Sequence, residues 1–397
     1  MNGLQNKFAL LKALAANPRI LRVSPAVNWF LTKYMRKFPL VNLDGQLIIH
    51  SHLPSVNSKA FTRFIDEHLL ARTPGPSHAQ ISLTGACPQS CQYCYNKDRS
   101  GAPLTTNEIK QSIAALKRLG VFWLGFTGGE PLLQPDIVEI VRSAGDDCAL
   151  KLFTTGMGLT PELANRLKEA GLLYVSISLD HQNEAAHDQI RGCAGSYQAA
   201  LRAIEMCQTA GFHVSVSSVI PRAMLQGSQV DDFLKFLIGL GVHEAWLSET
   251  KPTQAAFWDE ALVITEADRL HLVEIQDRYN QVGKITVNYL GHFEGKECFG
   301  CNAGHKMVYI DAFGEVSPCV FTPMSFGNIR DNSLGSIFAE MKALFPSESD
   351  CFINRNYPLL KKHYHGQFPL SKTDTLQLLE DVQFSPLAQF SRLLAKR

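Results

Sequence analysis

From about Ala79 the sequence alternates short β-rich runs with amphipathic helical stretches, and this alternation constrains the fold more than any other feature. Strands are expected at 80–83, 123–126, 150–153, 174–179, 213–219 and 244–247. The stretches between them are long enough for crossover helices, which parallel neighbours require and hairpins do not. One helix opens on Thr105 with Glu108 three residues on, a capping box, and runs to Leu119 before Gly120. Another has Thr160 as cap, Pro161 in its first turn and a stop near Gly171. Six such units predict an α/β fold: a partial (β/α)6 parallel barrel. Chemistry in such barrels sits where strands end, and polar or glycine-rich clusters do follow the strands, at 84–95, 127–131, 154–156, 178–180 and 217–218.

The flanks read differently. Residues 1–76 form a helical N-terminal extension with a short strand pair within 41–50 turning at Asp44-Gly45, and 72–77 is a linker. The barrel is assigned to 77–285, a small hairpin-and-helix domain to 286–350, and a partly helical tail to 351–397. In the small domain, 306–311 and 315–320 flank a turn at 312–314, and a helix follows over 334–344. The formal net charge of +1 gives no bias towards nucleic acid, and none is expected as a partner. Residues 1–43 nevertheless carry Lys7, Lys12, Arg19, Arg22, Lys33, Arg36 and Lys37 and no acidic residue. This basic arm is expected to pack its apolar side chains (Trp29, Phe30, Leu31, Tyr34, Met35) on the barrel, with weak membrane-surface contact or docking of a peptide or anionic substrate as the alternatives. No apolar run is long enough to span a bilayer, and Lys12 interrupts the signal-like stretch at 8–16, so no cleaved leader is expected. Ten unevenly spaced cysteines in 397 residues are too sparse for a disulfide scaffold and favour metal ligation in a reducing, cytoplasmic compartment.

The first tight group, Cys87-Pro-Gln-Ser-Cys91-Gln-Tyr-Cys94, directly follows the first barrel strand. Three thiolates this close grip one compact metal group and are the soft ligands that iron–sulfur clusters take. Three ligands leave a four-iron cube one short, with an iron open to a further ligand. On these residues alone, a zinc site completed by a distant residue such as His78, or simply buried thiols, stays open. One βα unit later comes Gly128-Gly129-Glu130-Pro131, where glycines let the backbone approach a ligand closely and Glu130 anchors the turn or balances charge.

Together, with Tyr93 just before the third cysteine, these motifs resemble the radical S-adenosylmethionine (SAM) superfamily over about 79–338. The resemblance implies a [4Fe–4S] cluster on Cys87, Cys91 and Cys94. The amino and carboxylate groups of SAM then chelate its open iron, and an electron supplied by a donor such as flavodoxin or ferredoxin cleaves SAM to a 5′-deoxyadenosyl radical. It further implies that Gly128 and Gly129 receive the methionine amino group. Tyr93, Glu130, Thr155, Ser178 and Arg191 are then cofactor contacts, with capping or strand-end hydrogen bonding as the plainer reading of each. Asp180 is a weaker candidate, and Cys148, Cys193 and Cys207 are expected to be packing residues.

The second group is Cys298-Phe-Gly-Cys301, then Gly314, Cys319 and, further on, Cys351. Four thiolates suit zinc or one saturated iron–sulfur cluster. The run from Cys301 through Gly314 to Cys319, continued by Phe326-Gly327-Asn328-Ile329, resembles the SPASM or Twitch auxiliary-cluster region. With no second tight cysteine set, the resemblance implies one auxiliary [4Fe–4S] cluster on Cys298, Cys301, Cys319 and Cys351. Cys351 decides whether that cluster is saturated or open to substrate. The expected reaction is hydrogen abstraction from a peptide or a small metabolite. The alternatives are methyl or adenosyl transfer, isomerisation, or a non-catalytic iron–sulfur or zinc scaffold.

Overall fold

The computed structural model describes residues 17–345 and 348–395. Nine strands form one sheet. In chain order they are preceded by the separate hairpin of β1 (Val41–Leu43) and β2 (Gln46–Ile48). The sheet itself comprises β3 (His78–Ser82), β4 (Trp123–Thr127), β5 (Ala149–Thr154), β6 (Tyr174–Ser178), β7 (His213–Ile220), β8 (Glu244–Glu249), β9 (Thr286–Tyr289), β10 (Met307–Ile310) and β11 (Val316–Ser317). Strands β3 to β9 pair in sequence, all parallel, so the sheet is a partial barrel with β9 and β11 as edges.

All six expected strands are present, and two more extend the parallel array. β9 is a seventh sequential strand, and β10 adds a parallel strand outside β3. The sheet therefore runs past residue 285, where a domain boundary was expected. β9 escapes the sequence pattern because it is only four residues long and alternates Thr286 and Asn288 with Val287 and Tyr289. β10 forms the expected hairpin with β11, but its other edge, invisible to local pattern, pairs with β3.

Strand alternation separates two environments. One face, including Ile81, Phe126, Leu152, Ile177, Val216 and Leu247, packs against the helices as the main core. The opposite face is polar and enclosed: Lys151, Ser176, His213, Ser215, Glu244 and Asn288 are all buried. Such groups need partners, and the N-terminal extension supplies several. Ser51 N donates to Glu244 (2.7 Å), Lys151 Nζ donates to Ser51 Oγ (2.6 Å), and Trp123 Nε1 and Tyr174 OH donate to the Ser51 and Leu53 carbonyls (2.9 and 3.0 Å). Residues 51–53 thus floor the barrel, leaving its chemistry at the opposite mouth.

The expected caps form: Thr105 and Glu108 make the capping box of the helix Thr106–Arg118, and Thr160 caps Pro161–Glu169. Asp44 and Gly45 turn the first hairpin with positive φ. In the helix Pro25–Met35, Phe30, Leu31, Tyr34 and Met35 are buried against Phe299 and the C-terminal helix Gln389–Ala395, while Trp29 remains 59% exposed. The apolar face of this helix is therefore spent on packing. Lys7, Lys12 and the stretch 8–16 lie outside the described residues. No described helix is long and apolar enough to cross a membrane.

Candidate active site and second cysteine cavity

The loop after β3 carries the first cysteine group to the barrel mouth. Cys87, Cys91 and Cys94 line one chamber together with Tyr93, Gly128, Gly129, Thr155, Ser178 and Arg191. Of the cofactor contacts expected from sequence, only Glu130 is set back from this wall. It is fully buried and accepts four hydrogen bonds, from Leu132 N (3.0 Å), Thr154 Oγ1 (2.6 Å), Thr155 N (2.7 Å) and Thr155 Oγ1 (2.6 Å). Burial still holds its carboxyl above the usual range. Its work is to clamp the end of β4 to the end of β5.

The glycine pair has a reason the sequence did not reveal. Gly129 N and Glu130 N donate to the Thr84 and Ala86 carbonyls (both 2.7 Å). A Cβ at Gly129 would stand 2.0 Å from Ala86 O, and one at Gly128, where φ is +146°, 2.5 Å from Thr84 O. The close approach is thus to the backbone leading into Cys87, and it fixes the loop in place beside the chamber.

A second clamp works from the other side. Ser90 N donates to Arg191 O (3.0 Å), and a Cβ at Gly192 would meet Ser90 Oγ at 2.4 Å. Asp180 accepts from the Tyr93 hydroxyl and from Val219 N (2.9 Å), and lies 2.8 Å from Arg191 Nε. The Arg191 guanidinium stands over the Tyr93 ring, 5.6 Å from its centre. Asp180 is therefore the organiser of two chamber residues rather than a chamber residue itself. Beyond the loop, Arg99 forms a buried ion pair with Asp311 at the end of β10 (3.0 Å).

Burial pushes the Cys87 thiol up to about 11 and raises Cys91 and Cys94 as well. Loading a metal group displaces protons from these thiols. Three soft donors on one wall, with a cation and small polar groups facing them, fit a cluster with one open iron and an amino-acid ligand on it. His78 does not join them; it faces the second cavity, stacked on His52.

That cavity lies beside the first, and Gln80, Trp246, Val320 and Phe321 line both. It gathers Cys301, Cys319 and Cys351 from three separate elements. Cys301 N donates to Glu348 O (2.9 Å), Cys319 follows β11 with Sγ 3.1 Å from Thr322 Oγ1, and Cys351 begins the helix Phe352–Lys362. Gly314 turns the β10–β11 hairpin at φ +93°, where a Cβ would meet Asn328 Oδ1 at 2.7 Å. Cys298 is not brought to the other three. It is buried in a different cavity with Trp29, Tyr34, Lys37, His292 and Glu297. Among the described residues no group of three or more His, Cys, Asp or Glu side chains is gathered closely enough for a single metal ion. Three thiols lining one cavity are the soft donors that an iron–sulfur cluster takes.

Two residues of this region were not anticipated. Glu294 lines the second cavity, and Lys251 lines the first while reaching Glu249 and Glu294 (2.7 Å each) and Cys351 Sγ (3.1 Å). Burial opposes the Lys251 charge, but Cys351 and the two carboxylates hold its pKa well above the ordinary value. A signal lay in their position: Glu249 ends β8 and Lys251 follows it, where barrel chemistry sits, two and four residues past the strand end expected at 247. Cys148 and Cys207 are packed in the core as expected, and Cys193 is half-buried.

Comparison with known proteins agrees with this geometry. The model of the radical SAM superfamily matches residues 81–237, and that of the SPASM iron–sulfur cluster-binding domain matches 301–354. The mycofactocin maturase MftC of Mycobacterium tuberculosis is 37% identical over 291 residues, 66% of this chain and 71% of that protein. The AdoMet-dependent heme synthase of Methanosarcina barkeri is 27% identical over 68% of this chain and 84% of its own length. The PqqA peptide cyclase of Bradyrhizobium diazoefficiens is 28% identical over 65% of this chain and 71% of its own. In fold, the chain is similar to Streptococcus suis SuiB bound to its precursor peptide SuiA, with a TM-score of 0.55 and 15% identity over 79% of this chain and 77% of that one. The protein is thus an enzyme that reductively cleaves SAM at a [4Fe–4S] cluster for hydrogen abstraction and carries an auxiliary [4Fe–4S] cluster. The chain belongs to the radical SAM superfamily, in the group with a C-terminal SPASM domain.

Proposed function

We propose that the enzyme modifies a peptide, with Cys87, Cys91 and Cys94 holding the SAM-cleaving cluster and Cys301, Cys319 and Cys351 holding the auxiliary one. The observation that carries the site assignment is the single chamber lined by the first three thiols, the glycine pair, Thr155, Ser178 and Arg191. The peptide assignment is supported by relatives named for peptide cyclisation and maturation, and by the fold shared with a SuiA-bound enzyme.

Each chain residue then has a task. The Arg191 cation, steadied by Asp180, attracts the cofactor carboxylate, while Gly128 and Gly129 offer backbone groups to its amino end. Ser178 and Thr155 orient the nucleoside part by hydrogen bonds. Trp246 and Phe321 shield the reacting end from water and divide it from the second cavity. A flavodoxin- or ferredoxin-like protein delivers the electron in a reducing, cytoplasmic setting, in keeping with ten unpaired cysteines. Among the described residues of the basic arm, exposed Leu21 and Trp29, with Lys33 over the Trp29 ring, would support a weak membrane contact.

The heme synthase relative favours a second reading, a small-metabolite substrate. The anaerobically reconstituted, reduced enzyme is expected to release 5′-deoxyadenosine from SAM, and a side-chain-deuterated substrate peptide to pass deuterium into it. Deuterium transfer from a small metabolite and from no peptide would favour the second reading. Absence of 5′-deoxyadenosine would contradict both.

A further inference from the structure

Three cysteines leave the auxiliary cluster one ligand short. The C-x2-C spacing nominated Cys298, but that thiol is buried in a separate cavity, where the charged groups around it are Glu297, Lys37 and Arg269. Cys148, Cys193 and Cys207 are not among the residues lining the second cavity. The imidazoles and carboxylate that do line it are His52, His78 and Glu294. His78 has both ring nitrogens engaged, with Ser77 Oγ (2.9 Å) and the His52 carbonyl (3.1 Å). His52 is packed as a ring against His78, Trp123, Trp246 and Phe293, and no thiol bears on it. Glu294 is different: it lines the cavity with Cys301, Cys319 and Cys351, and its Oε2 shares the Lys251 ammonium with Cys351 Sγ (2.7 and 3.1 Å).

Resting on the reading that these three cysteines hold the auxiliary cluster, we propose that Glu294 supplies its fourth ligand, a carboxylate oxygen, with Lys251 as the counter-ion of the pair. Carboxylate is an established, harder ligand for iron. Three thiolates and a carboxylate on one cube bury excess negative charge, which is costly unless an opposite charge stands beside it. Lys251 meets that need, 2.7 Å from Glu294 Oε2 and 3.1 Å from Cys351 Sγ, and its side chain is only 1% exposed. Because Lys251 also lines the SAM chamber, the same cation links the two sites. The cluster is then saturated by the chain itself, and substrate stays in the first chamber rather than binding to an auxiliary iron.

The test uses the full-length, reconstituted Cys87/Cys91/Cys94→Ala protein, in which only the auxiliary cluster remains, about four irons. In that background Cys301→Ala, Cys319→Ala and Cys351→Ala are expected to lose most of the iron and Cys298→Ala to keep it. Iron that follows Cys298 instead would overturn the underlying assignment. Glu294→Gln is expected to lose about one iron in four and, when oxidised, to give the electron paramagnetic resonance signal of a three-iron cluster, while Glu294→Cys restores the fourth iron. The restored variant keeps the result interpretable if Glu294→Gln folds poorly. Four irons with an unchanged Mössbauer spectrum in Glu294→Gln would overturn the proposal, as would loss of one iron in His52→Asn but not in Glu294→Gln.

Discussion

The two cysteine sites stand side by side yet are assembled in opposite ways. Cys87, Cys91 and Cys94 lie on one loop, so their spacing alone brings them together, and the fold's contribution is to hold that loop between two glycine contacts, one through Gly128 and Gly129, the other through Gly192. Cys301, Cys319 and Cys351 lie on three elements spread over fifty residues of sequence, and only the packing of β10, β11 and the C-terminal helices makes them neighbours. The first site is a local structure that the barrel orients. The second exists only as tertiary structure.

The sharpest way to break this contrast is to damage the support of one site alone. Gly129→Ala puts a methyl group 2.0 Å from Ala86 O, where backbone must move. It is expected to lose the SAM-cleaving cluster, about half the iron, and to lower 5′-deoxyadenosine formation by more than about 1,000-fold, with the auxiliary spectrum intact. Next in size is Arg99→Ala. It strands Asp311, which is 0% exposed, at the junction of the cysteine loop and the hairpin that presents Cys319. Breaking a buried pair by removing one partner costs about 3–5 kcal/mol, and chemical denaturation should show a loss of that size.

Asp180→Asn keeps the shape of the residue but removes the charge facing Arg191. Supports of this kind are worth roughly 10–100-fold, and the loss is expected in KM for SAM, leaving the auxiliary cluster unchanged. A pH effect arises at the barrel floor, remote from both clusters. Burial lowers His50 to about 4 and His213 well below its ordinary value. The unfolded chain therefore takes up these protons first as pH falls from about 6.5 towards 4, so stability falls in that window and is retained above it. The slope is up to about 1.4 kcal/mol per pH unit for each histidine. Urea midpoints at pH 7 and pH 5 should show the loss, and His50→Gln should lessen it.

The same contrast explains which features sequence could reveal. The six long strands and both helix caps were readable because periodicity and capping are local. β9 was missed because four residues carry too little pattern, and the second pairing of β10 because nothing in 307–310 names β3 as partner. The first metal loop was readable for the same local reason. Cys298 was misleading because a C-x2-C spacing fixes how far apart two thiols are along the chain but not where they point. Here Gly300 turns at φ +78°, Cys298 goes to the aromatic cluster of the N-terminal helix, and Cys301 goes to the second cavity. Glu294 carries no motif and Lys251 only its place after β8; only the fold shows Lys251 reaching both Glu294 and Cys351.

The most direct measurement is iron content with Mössbauer spectroscopy on the wild type and on the Cys87/Cys91/Cys94→Ala protein, both reconstituted anaerobically. Two independently assembled sites predict about eight irons falling to about four, with 5′-deoxyadenosine formation abolished and one intact cluster spectrum remaining. Loss of all iron from the triple variant, or zinc in place of the remaining four irons, would contradict the account.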